Sequence, residues 1–461
     1  MSTLTPKTNP NASLTVNPPR PLRFFMSWMM NRMIDPERRE TNRRDAEHKR
    51  QAAREPHRVH YFHQLDDPYS LLSAGKLKAL SDAYDIEIVP HLIRATGGKN
   101  QPYPEELAAY ARRDAEAVAP HYGLRFPGNS GTTPSDEDTL TGARILAGLT
   151  HDTFLEHVGD VSEAVWSGDS ERLNEMARTL GAVSARQARK QLEEGSKQLE
   201  KMGHYSGATF FYGGEWYWGV DRLYHLEQRL GELGARKDRK TAPVAPRPAI
   251  DTGSAKDSGT LTLEIFPSLR SPYTAVIFDT ACEMADAAGI NLILRPVLPM
   301  VMRGVPATRT KGVYIFSDAK READALGVPF AKIYDPIGDP VRRAYSLYPW
   351  AASQGKDRAL LSAFLKAAFV DGIRTDTDKG LRKVAEDAGL DWVDAENHLG
   401  SDAWETEIAE NQRVMTEELG LWGVPSFRLR GPEGEPDFSV WGQDRLWLVA
   451  AEIKRRLALS E

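Results

Sequence analysis

Ser271 stands directly before Pro272 and Tyr273, at the point where a short apolar run gives way to a helical pattern. A serine hydroxyl at the mouth of a helix can donate its proton to a developing anion, and the helix N-terminus adds a positive field there. The same two residues are also the commonest way to open any helix, with Ser as the cap and Pro in the first turn. The chain supplies no sulfur of its own for such a place. Cys282 is its only cysteine, so no intramolecular disulfide and no Cys-x-x-Cys dithiol can form. It falls mid-helix among Ala281, Met284 and Ala285, without a cationic neighbour, and reads as a small buried hydrophobe. His57, His60 and His63 recur at every third residue but have no carboxylate or cysteine set beside them, so no metal site is expected.

Three further segments could join Ser271. Gly423-Val424-Pro425-Ser426-Phe427 carries a proline before a strand, where a cis bond would turn the amide and carbonyl of Val424 toward a ligand. An ordinary strand-entry proline would look the same. Trp441-Gly442-Gln443-Asp444-Arg445-Leu446 leads into the last helix; a carboxylate there suits an ammonium group, while Gln443 and free amides suit a carboxylate. Asp444 could equally be a first-turn acid. Lys311-Gly312-Val313-Tyr314, with Asp318 following, starts another helix, and Lys311 alone would be solvated.

The elements that must position these residues follow one order. A strand over 261–266 precedes a helix from Pro272, then come a strand over 291–296, a long helical stretch over 313–419, two strands and a last helix. That order repeats. Asp67-Pro68-Tyr69-Ser70 precedes Ser271-Pro272-Tyr273-Thr274 by 204 residues, and Tyr110, Asp114, Gly123 and Phe126 precede Tyr314, Asp318, Gly327 and Phe330 by the same offset. Near the end the offset drifts, yet Ser206-Gly207-Ala208 still sits over Gly423-Val424-Pro425 and Trp218-Gly219-Val220-Asp221-Arg222 over Trp441-Gly442-Gln443-Asp444-Arg445. Two copies of one domain are therefore expected, over 58–235 and 260–461, joined by a linker at 236–259 that is rich in Pro, Ala, Gly and Ser.

Residues 1–57 hold a lead without periodicity (1–21), then an amphipathic helix. Its apolar face is Leu22, Phe25, Met26, Met29, Met30 and Met33, read as docking on the protein's own domains, on a partner subunit or flat on a membrane. A charged, solvated stretch follows over 35–58. The 461 residues have a net charge of −6, and residues 1–58 hold 12 basic against 6 acidic side chains, so the folded remainder is acidic. No nucleic-acid motif accompanies the basic segment, and no apolar run reaches the roughly 18 residues of a membrane span. Arg23 and Arg32 bracket too short an apolar stretch for a secretory signal, which points to the cytoplasm.

Across about 200 residues the four segments stand in the order of one family. The C-terminal half resembles the glutathione-dependent 2-hydroxychromene-2-carboxylate isomerase and kappa-class glutathione transferase family. The resemblance implies an α/β fold of two tandem thioredoxin-like (DsbA-like) domains, each with a helical insertion. It also implies glutathione as cofactor and an aromatic or unsaturated carbonyl compound as substrate. Ser271 would be the catalytic residue, donating to the glutathione thiol. Val424 and Pro425 would meet its cysteinyl backbone, Gln443 and Asp444 its γ-glutamyl end, and Lys311 its glycine carboxylate. An isomerase or transferase is thus expected, with a DsbA-type oxidoreductase lacking its own dithiol and a non-catalytic scaffold as rivals.

The stretch from Arg295 to Lys311 departs from the family, being shorter, Met-rich and without its Gly-Asn pair. In the first copy Asp67, Ala208 and Leu107 replace Ser271, Pro425 and Lys311. Asp67 reads as a helix cap, Gly97-Gly98-Lys99-Asn100-Gln101-Pro102 as a relic of the missing loop, and the first copy as the partner in an internal pseudo-dimer or in a larger homo-oligomer.

Overall fold

A computed structural model describes residues 16–459, apart from 96, 98, 99, 129, 130 and 239. Most of the expected lead, and Gly98 and Lys99 of the Gly-rich loop, lie outside the described residues. Contacts divide the chain into two units, residues 37–248 and residues 249–461 together with 1–36.

Helix α1 (Arg20–Ile34) belongs to the second of these units, and helix α2 (Pro36–Ala53), in which no residue is buried, leads into the first. There β1 (Arg58–His63), α3 (Pro68–Ala83) and β2 (Glu87–Leu92) form a parallel strand pair joined across a helix. Parallel neighbours need such a crossover. Helices α4 (Pro104–Val118), α5 (Asp136–Leu146), α6 (His151–Ser167), α7 (Ser170–Thr179) and α8 (Ala185–Met202) intervene before the hairpin β3 (Thr209–Tyr212) and β4 (Glu215–Trp218) and helix α9 (Leu223–Glu232). The hairpin turns at Gly213-Gly214, both at positive φ, the pair that a two-residue turn favours. Sheet order is β2-β1-β3-β4, with β3 antiparallel to β1 and to β4.

In the second unit β5 (Thr262–Phe266), α10 (Pro272–Ala288) and β6 (Asn291–Leu294) repeat the crossover. Then come α11 (Arg309–Leu326), α12 (Asp339–Ser353), α13 (Asp357–Phe369), α14 (Asp378–Asp387), α15 (Trp392–Glu396) and α16 (Trp404–Arg413). The hairpin β7 (Ser426–Arg430) and β8 (Phe438–Trp441) and helix α17 (Leu446–Ala458) complete it. Sheet order is β6-β5-β7-β8, again with one parallel and two antiparallel pairings. On β5 the buried Glu264 takes the guanidiniums of Arg428 and Arg295. Burial works against its charge, yet those partners hold its carboxyl below the usual glutamate range.

One expectation changes. The inward face of α1 is Arg23, Ser27, Met30 and Ile34, whereas Leu22 and Phe25 of the expected docking face are exposed. Polar anchors to the backbone of residues 333–337 decide the orientation in place of apolar burial. The stretch over 236–259 makes hydrogen bonds at two places. The amides of Val244 and Ala245 bond the Glu227 carboxylate, and farther on Asp257 caps the turn at Gly259 and Thr260.

Candidate functional site

Phe266 at the end of β5 pairs in register with Ser426 at the start of β7, so the segment before Ser426 runs beside the mouth of α10. Ser271 caps that helix: its Oγ accepts the Thr274 N–H at 3.1 Å and donates to the Val424 carbonyl at 3.2 Å. The Val424–Pro425 bond is cis. Ser271 and Val424 each keep only 8% of their surface exposed, so the hydroxyl sits in a largely dry place with its one proton already on a carbonyl. An acceptor better than that carbonyl, such as a thiolate, could take the proton by rotation of the hydroxyl.

The walls of this place come from residues whose importance the sequence did not reveal. Arg270, next to Ser271, makes a bidentate pair with the buried Asp335, at 2.7 and 3.0 Å. Arg303, in the Met-rich stretch, donates to the carbonyls of Leu298 (2.9 Å) and Trp422 (2.7 Å), tying that stretch to the segment before Val424. Trp441 packs so closely on Gly423 that a Cβ at residue 423 would lie 1.5 Å from its ring. Arg270–Asp335 and Arg303–Trp422 have no local sequence signal, because each joins residues far apart in the chain.

Gln443 and Asp444 open the short 3-10 turn before α17, whose position is fixed by the Gly442 N–H bonding the Pro425 carbonyl at 2.9 Å. Gln443 is buried, and its amide donates to the Glu322 carboxylate at 2.8 Å. One of its two N–H donors is therefore already taken by a carboxylate within the protein, and its buried Oε1 is left to meet a donor. Asp444 keeps about a quarter of its side chain exposed, with the Arg445 guanidinium 3.7 Å away. Lys311 lies in the first turn of α11, its N–H on the Thr308 cap, and burial pushes its ammonium below the usual lysine range. Ser271, Val424, Pro425 and, through Gly442, the Gln443-Asp444 turn are thus brought together. No hydrogen bond among the described residues joins the Lys311 side chain to them. Cys282 is fully buried in α10, and burial pushes its thiol up to about 12.

The first unit carries the same framework with other side chains. Asp67 caps α3 through the Ser70 N–H (3.0 Å) and also accepts the Ser70 hydroxyl (2.7 Å). The segment facing it is Gly207-Ala208, with Ala208 at φ +57°. A Cβ at Gly207 would lie 3.2 Å from the Asp67 carboxylate. Burial raises the Asp67 carboxyl to about 6. Matched bonds recur: Tyr69 to Asp114 and Tyr273 to Asp318, both at 2.8 Å, and Gly219 N–H to Ala208 and Gly442 N–H to Pro425, at 2.8 and 2.9 Å.

Residues 262–454 match the family model of the DSBA-like thioredoxin domain. No curated protein matches the chain. Among solved structures, a 2-hydroxychromene-2-carboxylate isomerase is similar at 17% identity over 43% of this chain and 97% of its own, with a TM-score of 0.37. A probable DsbA oxidoreductase from Streptomyces coelicolor is similar at 20% identity over 44% and 91%, with a TM-score of 0.34. The cytosolic disulfide reductase DsbM from Pseudomonas aeruginosa follows at 20% identity over 43% and 99%, with a TM-score of 0.31. The C-terminal half of this mixed α/β chain is a DsbA-like thioredoxin domain.

Proposed function

We propose that the DsbA-like domain binds glutathione beside Ser271 and uses its thiolate as a nucleophile, as an isomerase of the 2-hydroxychromene-2-carboxylate type. The observation that carries the reading is the Ser271 hydroxyl at the mouth of α10, 3.2 Å from the Val424 carbonyl. A DsbA-like enzyme needs a sulfur at this place, and the chain's only cysteine is buried in the helix interior. The nucleophile must then come with the ligand. Ser271 would donate to the sulfur, the N-terminus of α10 would favour its anionic form, and Asp444 would meet the γ-glutamyl ammonium. The amide oxygen of Gln443 suits the same ammonium, since its nitrogen is held by Glu322. Lys311 would meet the glycine carboxylate.

In the reaction, the thiolate adds to the β-carbon of an unsaturated carbonyl compound, and the electron pair of the double bond moves to the carbonyl oxygen. The former double bond rotates, the pair returns, and the carbon–sulfur bond breaks to release the thiolate unchanged. Were the adduct protonated and released, the same site would be a transferase. Direct dithiol exchange has no second cysteine to run on.

We also read the two units as copies of one domain, on the matched bonds given above. The first copy lacks the hydroxyl and would not bind glutathione. Capture on immobilised glutathione tests the assignment: the full chain is expected to be retained, and Ser271→Ala and Asp444→Ala to pass through. Passage of all three forms would favour a scaffold without this activity.

A further inference from the structure

Helix α2 is held to the first unit by charge instead of packing. None of its residues is buried, yet Arg43 makes a bidentate pair with Glu215 on β4, at 2.6 and 3.0 Å. Toward the end of the helix Arg50 pairs with Glu47 at 2.7 and 2.9 Å and donates to the Glu55 carbonyl at 2.7 Å. A helix seated on ion pairs leaves room beneath it. A cavity of about 390 Å³ is lined by α2 on one side and by β1 and β3 on the other, a volume within the range of small-molecule sites.

The sheet wall of this cavity is aromatic. His60 on β1 and Phe211 on β3 pair in register, both half-buried, with their rings 6.4 Å apart. The next residue, Tyr212, is buried, and its hydroxyl lies 2.6 Å from Nδ1 of His57. On its other side His60 stacks on His91 of β2, with its Nδ1 2.9 Å from the His91 Nε2. Burial holds both imidazoles below the usual histidine range, so the pair is neutral and one ring donates to the other. When His91 is the donor, His60 carries its own proton on Nε2 and has it to give to a ligand. The same place in the second sheet is filled by ions. The residues 204 positions on from His60 and His91 are Glu264 and Arg295, and the strand partner of Glu264 is Arg428, which bonds it. There the side chains satisfy one another, whereas the first sheet is left with rings and a spare donor.

Four cations border the cavity, and three have partners. Arg50 is on Glu47, Arg58 faces Glu87 at 3.2 Å, and Arg229 donates to the carbonyls of Tyr212 and Gly213 at 2.9 and 3.1 Å. Lys49 is exposed and holds no ion pair among the described residues. One spare cation beside one neutral donor suits a single negative charge, a carboxylate in preference to a phosphate.

We propose that this cavity binds a planar aromatic monocarboxylate, its ring against Phe211 and its carboxylate on the Lys49 ammonium and the His60 Nε2–H. The site stands apart from Ser271 and does not depend on glutathione.

The test is calorimetric titration of the full chain with 2-naphthoate, and with 2-naphthylmethanol as the uncharged probe. Saturable binding of one 2-naphthoate per chain is expected, roughly tenfold tighter than the alcohol or better, the usual worth of charge-assisted hydrogen bonds. Lys49→Glu alters only an exposed side chain and should weaken 2-naphthoate by about tenfold or more while leaving the alcohol unchanged, and Lys49→Arg should restore it. Phe211→Leu keeps an apolar side chain in the strand and should weaken both probes severalfold. Absence of binding, equal affinity for the two probes, or 2-naphthoate affinity unmoved by Lys49→Glu or by Phe211→Leu overturns the proposal.

Discussion

Helices α3 and α10 open on the same backbone with opposite chemistry. In one unit a half-buried carboxylate caps the helix and faces Gly207-Ala208; in the other a hydroxyl caps it and faces Val424-Pro425. Both caps satisfy a helix amide, so either residue folds the domain. The hydroxyl alone retains a proton that can be given to an incoming anion. What separates the two units is therefore the group left over once the structural task is done, together with the residues that wall it in.

The largest contrast expected lies one residue before the caps. Asp335→Ala should cost the second unit about 3–5 kcal/mol, because it strands the Arg270 guanidinium in a mostly buried place. In the first unit the matching position is the exposed Asp66, and Asp66→Ala should be neutral within about 0.5 kcal/mol. Thermal unfolding of both variants would reveal the asymmetry. At Gly423 a methyl group runs into Trp441, so Gly423→Ala should cost about 1–3 kcal/mol and shift the segment carrying Val424. Its counterpart Ser206 already bears a side chain, and Ser206→Ala should change little by the same measurement.

A pH comparison is smaller but sharper. The folded Asp67 carboxyl titrates near about 6 against an ordinary value of 3.8, so the folded state holds its proton more tightly. Stability contributed by that proton is present below the ordinary value and lost as pH rises through about 6. Asp67→Asn keeps a capping side chain and should stabilise the protein near neutral pH by about 1–2 kcal/mol, with little change in strong acid. Glu264 has the opposite sign. Its carboxyl is held below the usual range, so its contribution is present above the ordinary value of 4.5 and lost as pH falls below that, a dependence that Glu264→Gln should remove. Smallest of all, Thr308→Ala removes the cap of α11 for about 1 kcal/mol.

Much of the framework was legible in the sequence because it is local. The offset of 204 located both helix mouths, and the Pro-Tyr pairs after Asp67 and Ser271 marked both caps. The walls were not legible. Arg270–Asp335, Arg303–Trp422 and Gln443–Glu322 link residues 65, 119 and 121 positions apart, and no spacing rule points from one to the other. Helix α1 shows the limit of periodicity: its apolar pattern was correctly helical, but the buried side was set by three polar side chains gripping a backbone.

The most direct test of the account is the ionisation of glutathione bound to the full chain, followed by thiolate absorbance across pH, for wild type, Ser271→Ala and Asp67→Ala. The account expects the bound thiol of wild type and Asp67→Ala to ionise below the roughly 8.5 of a free cysteine, and that of Ser271→Ala to return toward it. Equal ionisation in wild type and Ser271→Ala would contradict it.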